Sequence, residues 1–382
     1  MAVATVTQPR RGSAAPAAAQ APAPLIPFTR AAYEHIEGPF GPPAVLMDGN
    51  THVLQFPDIP AHGFMGDIVI QVVGSGGAGG AAVAAADAPW NVLDNISLVD
   101  TSLVPIVGPL SGYDLYLLNL LGGYNFSASI NAENGGTAAP PFSAIDANGN
   151  FTFLLRIPVQ LSNRDAVGAL ANQTASAPYR LTATLQANTT VYGVIPAGAQ
   201  PLVTVSCWLE SWSQPAAADN GGNRQAVEPP ALGTTQFWSV QIDNLANGFN
   251  DWRLQKMGYL LRTVIMQFRT TAAGNPRSNA NIPPSLNWLV DGQQRESGNA
   301  PAILRNRTFM RTNGIVVPTG VLVWDFTHEL SGHIGDDLRD LLVPTTPATN
   351  WRYQGTFGAA TVLRTLVNDV SVPQGKSIYL GA

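Results

Sequence analysis

Apolar and polar residues alternate along most of this chain with a period of two, the mark of strands that bury one face. "HVLQF", "GDIVIQVV", "NISLVD", "YDLYLLNLL", "FTFLLRIPV", "YRLTATLQ" and "PLVTVSCWLESW" form a first series of predicted strands. Turn-rich pieces such as "NAENGGTAAPP" and "DANGN" separate them. A second series holds "LLRTVIMQFRT", "SLNWLVD", "TFMRTNGIVV", "VLVWDF", "NWRYQGTFG" and "VLRTLVNDVSV". Helical periodicity is scarce. It predicts one short helix in "FTRAAYEHIEG" (28–38), closed by Gly38 and Pro39, with Tyr33 and Ile36 on a shared face. Two internal helices are predicted at "RDAVGAL" (164–170) and "GDDLRDLL" (335–342), each between strands.

Two series of strands suggest a duplication. "GFMGDIVIQVV" from Gly63 resembles "GYLLRTVIMQF" from Gly258. Leu98-Val99-Asp100 matches Leu289-Val290-Asp291, and Leu161-Ser162 matches Leu330-Ser331. The matches keep their order, and the displacement shrinks as it does when loops shorten between copies. Their order, more than any single match, argues for tandem copies of one β-rich domain. The polar stretch 213–233 reads as the connection between them.

Composition sharpens this picture. Charged residues are 12% of the 382, about half the ordinary share, so the surface relies on Asn, Gln, Ser, Thr and backbone. Thirty prolines and 37 glycines suit many turns and an all-β chain. Sparse charge also suits a protein that covers itself with its own copies. The net charge of −5 implies no general nucleic-acid binding. Cys207 is the only cysteine, so no intrachain disulfide forms, and it reads as a buried strand thiol. The first 27 residues are Ala- and Pro-rich. Arg10 and Arg11 precede an apolar stretch broken by Pro16, Pro22 and Pro24, which reads as an extended arm, with an export signal as the alternative.

One stretch imitates a cofactor site. In "DIVIQVVGSGGAGGAAVAAA", Gly74, Gly76 and Gly79 stand at G-x-G-x-x-G spacing, and Asp100 follows at the distance of a ribose-binding acid. A dinucleotide fold then needs a crossover helix and further β-α pairs. Pro89 cuts the candidate helix to about two turns, too short to cover a sheet. The second copy has an Asp at Asp291 but no glycine loop before it. Both acids therefore read as strand-end turn formers. The glycine stretch reads as a strand running into a flexible loop.

Other constellations are weaker. In "HELSGH", His328 and His333 are five apart and diverge by about 140° on a helix, unlike the i, i+4 pair of a zinc protease. Asp336, Asp337 and Asp340 read as acids at a helix start. Trp208, Trp212, Trp238, Trp252, Trp288, Trp324 and Trp351 lie in or beside strands and read as core or interface packing, with a carbohydrate-stacking platform as the alternative. No residue is assigned a catalytic, cofactor-binding or metal-binding role.

Three stretches carry a resemblance: "FPDIPAHGFMGDIVIQVV"; "FLLRIPVQLSNRDAVGAL" followed by "YRLTATLQANTTVYG"; and "VLVWDFTHELSGHIGDDLRDLL" followed by "NWRYQGTFG". The chain resembles the major capsid proteins of tectivirus-like double-stranded DNA phages, the double jelly-roll lineage shared with adenovirus hexon. The resemblance implies an all-β fold of two tandem eight-stranded jelly rolls, a few short helices and an extended N-terminal arm. It places the arm and short helix at 1–40, the first jelly roll at 41–212, the linker at 213–233, and the second jelly roll and C-terminal tail at 234–382. The helices at 164–170 and 335–342 then stand where each jelly roll of that family carries one. The implied function is a non-enzymatic major capsid protein, forming pseudo-hexagonal homotrimers that tile an icosahedral shell. Its implied partners are its own copies, neighbouring capsomers, a vertex (penton) protein, and an internal membrane or membrane protein met by the arm. No cofactor and no sequence-specific nucleic acid are implied. The implied location is the virion capsid, after assembly in the host cytoplasm. The alternative is a secreted or surface β-sandwich protein that binds glycans; a jelly-roll hydrolase with dispersed carboxylates is a third reading.

Overall fold

A computed structural model describes residues 25–122, 143–162, 164–255, 258–299, 306, 315–326 and 342–378. Strand-forming alternation becomes sixteen principal strands among these residues. The first eight are β1 (Glu34–Phe40), β2 (His52–Leu54), β3 (Phe64–Ser75), β4 (Leu93–Val99), β5 (Pro105–Leu110), β6 (Phe151–Pro158), β7 (Arg180–Leu185) and β8 (Leu202–Trp212). The second eight are β9 (Thr235–Leu245), β10 (Gly248–Arg253), β11 (Leu260–Thr270), β12 (Ser285–Val290), β13 (Gln293–Asn299), β14 (Val321–Asp325), β15 (Trp351–Phe357) and β16 (Thr361–Ser371). The described helices are short: α1 (Phe28–Ala31), α2 (Gly112–Leu121) and α3 (Asn188–Val191).

In the first unit one sheet runs β1-β8-β3-β6 and the other β2-β7-β4-β5. In the second they run β9-β16-β11-β14 and β10-β15-β12-β13. Adding eight to every strand of the first unit reproduces the second. Each unit buries the inward-facing residues of its two sheets. Ile68, Ile70, Val205, Cys207, Phe153 and Leu155 face Ile96, Leu98 and Leu181 in the first core. Val264, Met266, Phe268 and Trp324 face Trp252, Leu286, Trp351 and Tyr353 in the second.

The register repeats as well as the order. Along β3 and β8, Phe64 pairs with Trp212 and Met65 with Ser211; Gly66 is skipped, and Asp67 pairs with Glu210. Along β11 and β16, Leu260 pairs with Val370 and Leu261 with Asp369; Arg262 is skipped, and Thr263 pairs with Asn368. The same bulge thus sits at Gly66 and at Arg262. It sets the correspondence one residue away from the sequence match of Gly63 with Gly258. The Leu-Val-Asp match is also out of register. Leu98 is buried in the first core, whereas Trp288 and Val290, the neighbours of Leu289, pack on the second. Alternation along a strand puts Leu98 and Leu289 on opposite faces.

Three local expectations are corrected. Residues 28–38 are not one helix: α1 ends at Ala31, and β1 begins at Glu34, so the first sheet starts before residue 41. "YDLYLLNLL" is not a strand but α2. Ser111 accepts from Asp114 N, and the Asp114 side chain accepts from Ser111 N, a capping box that starts the helix. Leu115, Leu117, Leu118, Leu120 and Leu121 are all buried, so the helix is apolar on nearly every side and shows no stripe. "RDAVGAL" is not a helix either. It forms turns, with Ala166 (φ 59°) and Gly168 (φ 87°) left-handed, and then pairs Leu170 and Ala171 with Met65 and Phe64. Of the predicted helix at 335–342, all but Leu342 lies outside the described residues.

Candidate assembly interface

The two units meet along a seam that turns one sheet into an extension of another. β5 and β9 run parallel, with Trp238 opposite Val107. The second unit's β9-β16-β11-β14 sheet turns its outer face toward the first unit. Trp238, Ile265, Leu366, Val321 and Val323 on that face belong to the same buried cluster as the first unit's core. Gln236 on β9 reaches across, its Nε2 donating to the carbonyls of Pro158, Val159 and Gln160 at 3.2, 3.1 and 3.0 Å.

α2 is the first unit's wedge in this seam. Asn119 lies against the edge of β6 and completes it: Nδ2 donates to Arg156 O at 2.7 Å and Oδ1 accepts from Arg156 N at 2.8 Å. Asp114, fully buried, faces the second unit. It accepts from Gln267 Nε2 at 2.6 Å, from Arg364 Nε at 2.8 Å, and from Arg364 Nη2. Burial pushes its carboxyl up, but the Arg364 charge and the hydrogen bonds from Arg364 and Ser111 outweigh burial and hold it below the usual range. Burial pulls Arg364 down, and Asp114 outweighs that, so the guanidinium is held above its ordinary value.

A second acid extends the network. Asp87 accepts from Arg269 Nη1 at 2.7 Å and from Arg277 Nε at 2.9 Å. Arg269 Nη2 also donates to Gln267 Oε1 at 2.6 Å, linking Asp87 to Asp114. The Arg277 guanidinium lies 4.3 Å from the Tyr113 ring centroid on α2. Trp90 stacks on Tyr116 at 3.8 Å. A cleft of about 390 Å³ over this network is lined by Asp87, Asp94, Tyr113, Gln186, Arg269 and Arg364. Its arginines are already held by aspartates, so the arrangement fastens two units together.

The first unit's matching face has a smaller polar cluster. Asp67 is buried, accepts from Val159 N at 2.8 Å and lies 3.1 Å from Arg156, which also contacts Glu210. Burial raises the Asp67 carboxyl to about 7 against the pull of Arg156. At the bulge, a cavity of about 130 Å³ opens beside Gly66, between Glu34, His35, Gln160, Glu210 and Trp212. His35 and His62 lie ring to ring at 4.3 Å. Burial, then the His35 charge, lowers His62.

The residues singled out in the sequence are scattered. β3 is antiparallel to both neighbours, which excludes a dinucleotide-type parallel pair around the glycine turn. The glycine loop is not loose: Gly77 N donates to Asn150 Oδ1 at 2.8 Å, and Ala78 N to Ala199 O at 2.9 Å. A Cβ on Gly79 would stand 2.3 Å from Gly198 N, so glycine lets two loop backbones touch. Asp100 Oδ1 accepts from Ser102 N and Val104 N, each at 2.8 Å, and closes the β4–β5 turn. Asp291 (φ 50°) and Gly292 (φ 77°) form the β12–β13 turn. Trp212, Trp238, Trp252, Trp324 and Trp351 are buried, while Trp90, Trp208 and Trp288 are half-buried, so no tryptophan platform faces solvent. Cys207 is buried, which pushes its thiol up to about 12. His328, His333, Asp336, Asp337 and Asp340 lie outside the described residues. Among the described residues, no three His, Cys, Asp or Glu side chains cluster as a metal ion requires. No described helix is long and apolar enough to cross a membrane.

No family model and no curated protein matches the sequence. Solved structures do match. The crystal structure of the STIV MCP is similar at a TM-score of 0.57 and 14% identity, over 90% of this chain and 97% of that one. The atomic structure of Sulfolobus Turreted Icosahedral Virus gives 0.57 at 15% identity, over 90% and 91%. The PBCV-1 virus capsid gives 0.56 at 12% identity, over 88% and 94%. These matches span both units. The fold is a double jelly roll. The seam residues Asp114, Arg364, Asp87 and Arg277 escaped the sequence reading, because the acids and arginines that meet there are far apart in the chain. The one local signal was Ser111-x-x-Asp114, a capping box in front of an apolar run.

Proposed function

We propose that this chain is a major capsid protein whose three copies form a capsomer of six jelly rolls. The strand-for-strand repeat carries the reading. Two like units per chain give a threefold assembly a sixfold outline, which tiles a hexagonal lattice without six separate chains. Proteins of the same fold stand in an icosahedral virus and a virus capsid. The reading assigns geometry rather than catalysis to the chain, and bonds like the Asp114–Arg364 pair keep each chain's two jelly rolls in a fixed relation. It divides the chain at 213–233. The arm at 1–27 reaches beneath neighbouring subunits or toward an internal membrane, where Arg10 and Arg11, with Arg30 on the adjoining α1, meet anionic lipid. A vertex protein closes the fivefold positions, and the finished shell is built in the cytoplasm of a bacterial host.

Light scattering and electron microscopy of the purified chain test this. A trimer with a hexagonal outline is the expected result. A monomer that binds glycans overturns the reading.

A further inference from the structure

The two jelly rolls repeat one ring contact with different chemistry. In the second, Phe237 on β9 stacks on Tyr259, the residue before β11, at 5.7 Å and 18°. In the first, His35 on β1 lies against His62, two residues before β3, at 4.3 Å and 32°. The positions correspond. His35 pairs with Ser211 as Phe237 pairs with Asp369, and both pairs stand beside the shared bulge. Each contact ties the first strand of its unit to the loop that enters the third. A phenyl ring takes no proton, whereas an imidazole becomes charged in mild acid.

The hydrogen bonds show where the acid proton goes. The single Ser211 hydroxyl proton is donated to His35 O at 3.2 Å, so Ser211 Oγ accepts from His62 Nδ1 at 2.9 Å. His35 Nε2 donates to the Glu37 carboxylate at 2.8 Å. Each neutral ring thus spends its one N–H, and acid adds a proton to His62 Nε2 and His35 Nδ1. Glu37 welcomes the charge on His35. The charge on His62 then faces a second cation at ring contact, and burial and His35 together lower its affinity for the proton. The other charged groups nearby are committed: Glu210 on β8 and Asp67 on β3 hold Arg156, and Glu34 lies one residue from His35 across the cavity at Gly66.

We propose that His35 and His62 form an acid-sensitive clasp, which holds the start of β1 against the loop before β3 at neutral pH and releases residues 34–37 in acid. An unclasped His62 binds its proton more readily than a clasped one. The clasp is therefore complete above the ordinary histidine value of 6.5 and weakens as pH falls through it. Release stays local, because Phe28 of α1 packs on Phe64 and Trp212 whatever charge the imidazoles carry. The device belongs to one chain and does not depend on the assembly reading. The phenyl–phenol pair makes the second jelly roll its internal control.

Hydrogen exchange by mass spectrometry at pH 7.5 and 5.0, corrected for the intrinsic pH dependence of exchange, tests the clasp. Protection of residues 34–37 is expected to fall at least tenfold in acid, while residues 236–239 on β9 keep theirs. The double variant His35→Phe with His62→Tyr copies the second jelly roll and is expected to keep its protection at pH 5.0. Equal protection of residues 34–37 at both pH values in the unmodified protein overturns the proposal. So does an undiminished fall in the double variant, which would assign the effect to Asp67 or another acid left in place. Should the double variant fail to fold, His62→Asn decides: it keeps a donor near the Nδ1 position and cannot charge. Loss of the acid effect in His62→Asn supports the clasp, and its persistence overturns it.

Discussion

Asp114 on α2 and Arg364 on β16 belong to different jelly rolls, lie 250 positions apart, and form a bidentate ion pair at the bottom of the seam. Such a pair is weak evidence of stability by itself, because burying two charges is costly. Breaking it is another matter. Arg364→Met leaves the Asp114 carboxylate buried with only Gln267 and the cap for partners, and the expected loss is about 3–5 kcal/mol. Asp114→Leu combined with Arg364→Met removes both charges and is expected to be less damaging than the sum of the single changes. Urea unfolding of the four proteins measures this coupling. Additive losses would show that the pair does not act as one seam contact.

Two buried aspartates give stability opposite pH dependences. Asp67 is raised to about 7 from an ordinary value of 3.8. Between those values the unfolded chain has lost its proton while the folded chain keeps it, so stability falls as pH rises from about 4 to 7. Asp114 is held below its ordinary value, so its contribution is present above about 4 and is lost as pH falls through the lower folded value. Asp67→Asn is expected to flatten the stability profile between pH 4 and 7. Asp114→Asn leaves that window sloped and reduces the acid-side loss. Denaturant midpoints across pH decide, and an unchanged Asp67→Asn profile would contradict the raised carboxyl.

The strands were legible because alternation is a local property. β3, β6 and β8 read directly from Ile68-x-Ile70, Phe153-x-Leu155 and Val205-x-Cys207. The duplication was legible in outline, but its register was not, since a bulge at Gly66 and Arg262 cannot be read from residue similarity. α2 was missed because a helix buried on almost every side has no polar stripe. β1 was missed because "EHIEGPF" is an edge strand with exposed residues on both faces and lacks alternation. The seam was illegible for a different reason: nothing in the composition around Asp87 or Arg364 names its partner.

The glycine loop gives a test that separates backbone approach from cofactor binding. Gly76 (φ 81°) has open space around its Cβ position, whereas Gly79 (φ 97°) faces Gly198 N at 2.3 Å. Gly76→Ala is expected to cost about 1–2 kcal/mol, the strain of a left-handed alanine. Gly79→Ala adds a backbone clash and costs more, and the loops at 76–82 and 196–200 separate. Hydrogen exchange by mass spectrometry would show both loops losing protection in Gly79→Ala and little change in Gly76→Ala. Calorimetry with NAD should give no binding for the unmodified protein. Binding there would reopen the dinucleotide reading.

Asn119 offers a local test of how α2 is anchored within the first jelly roll, because its amide imitates a strand. It donates to Arg156 O and accepts from Arg156 N, so it satisfies both backbone groups of one edge residue of β6. Asn119→Leu keeps the branched shape and raises helix propensity, but leaves those part-buried groups without that partner. Each unpaired group costs about 1–3 kcal/mol. The loss is expected at one position first: the Arg156 amide should exchange faster, while β8 amides, held on both sides by β1 and β3, keep their protection. A uniform rise in exchange across both jelly rolls would mean that Asn119 supports the whole core instead of closing one edge.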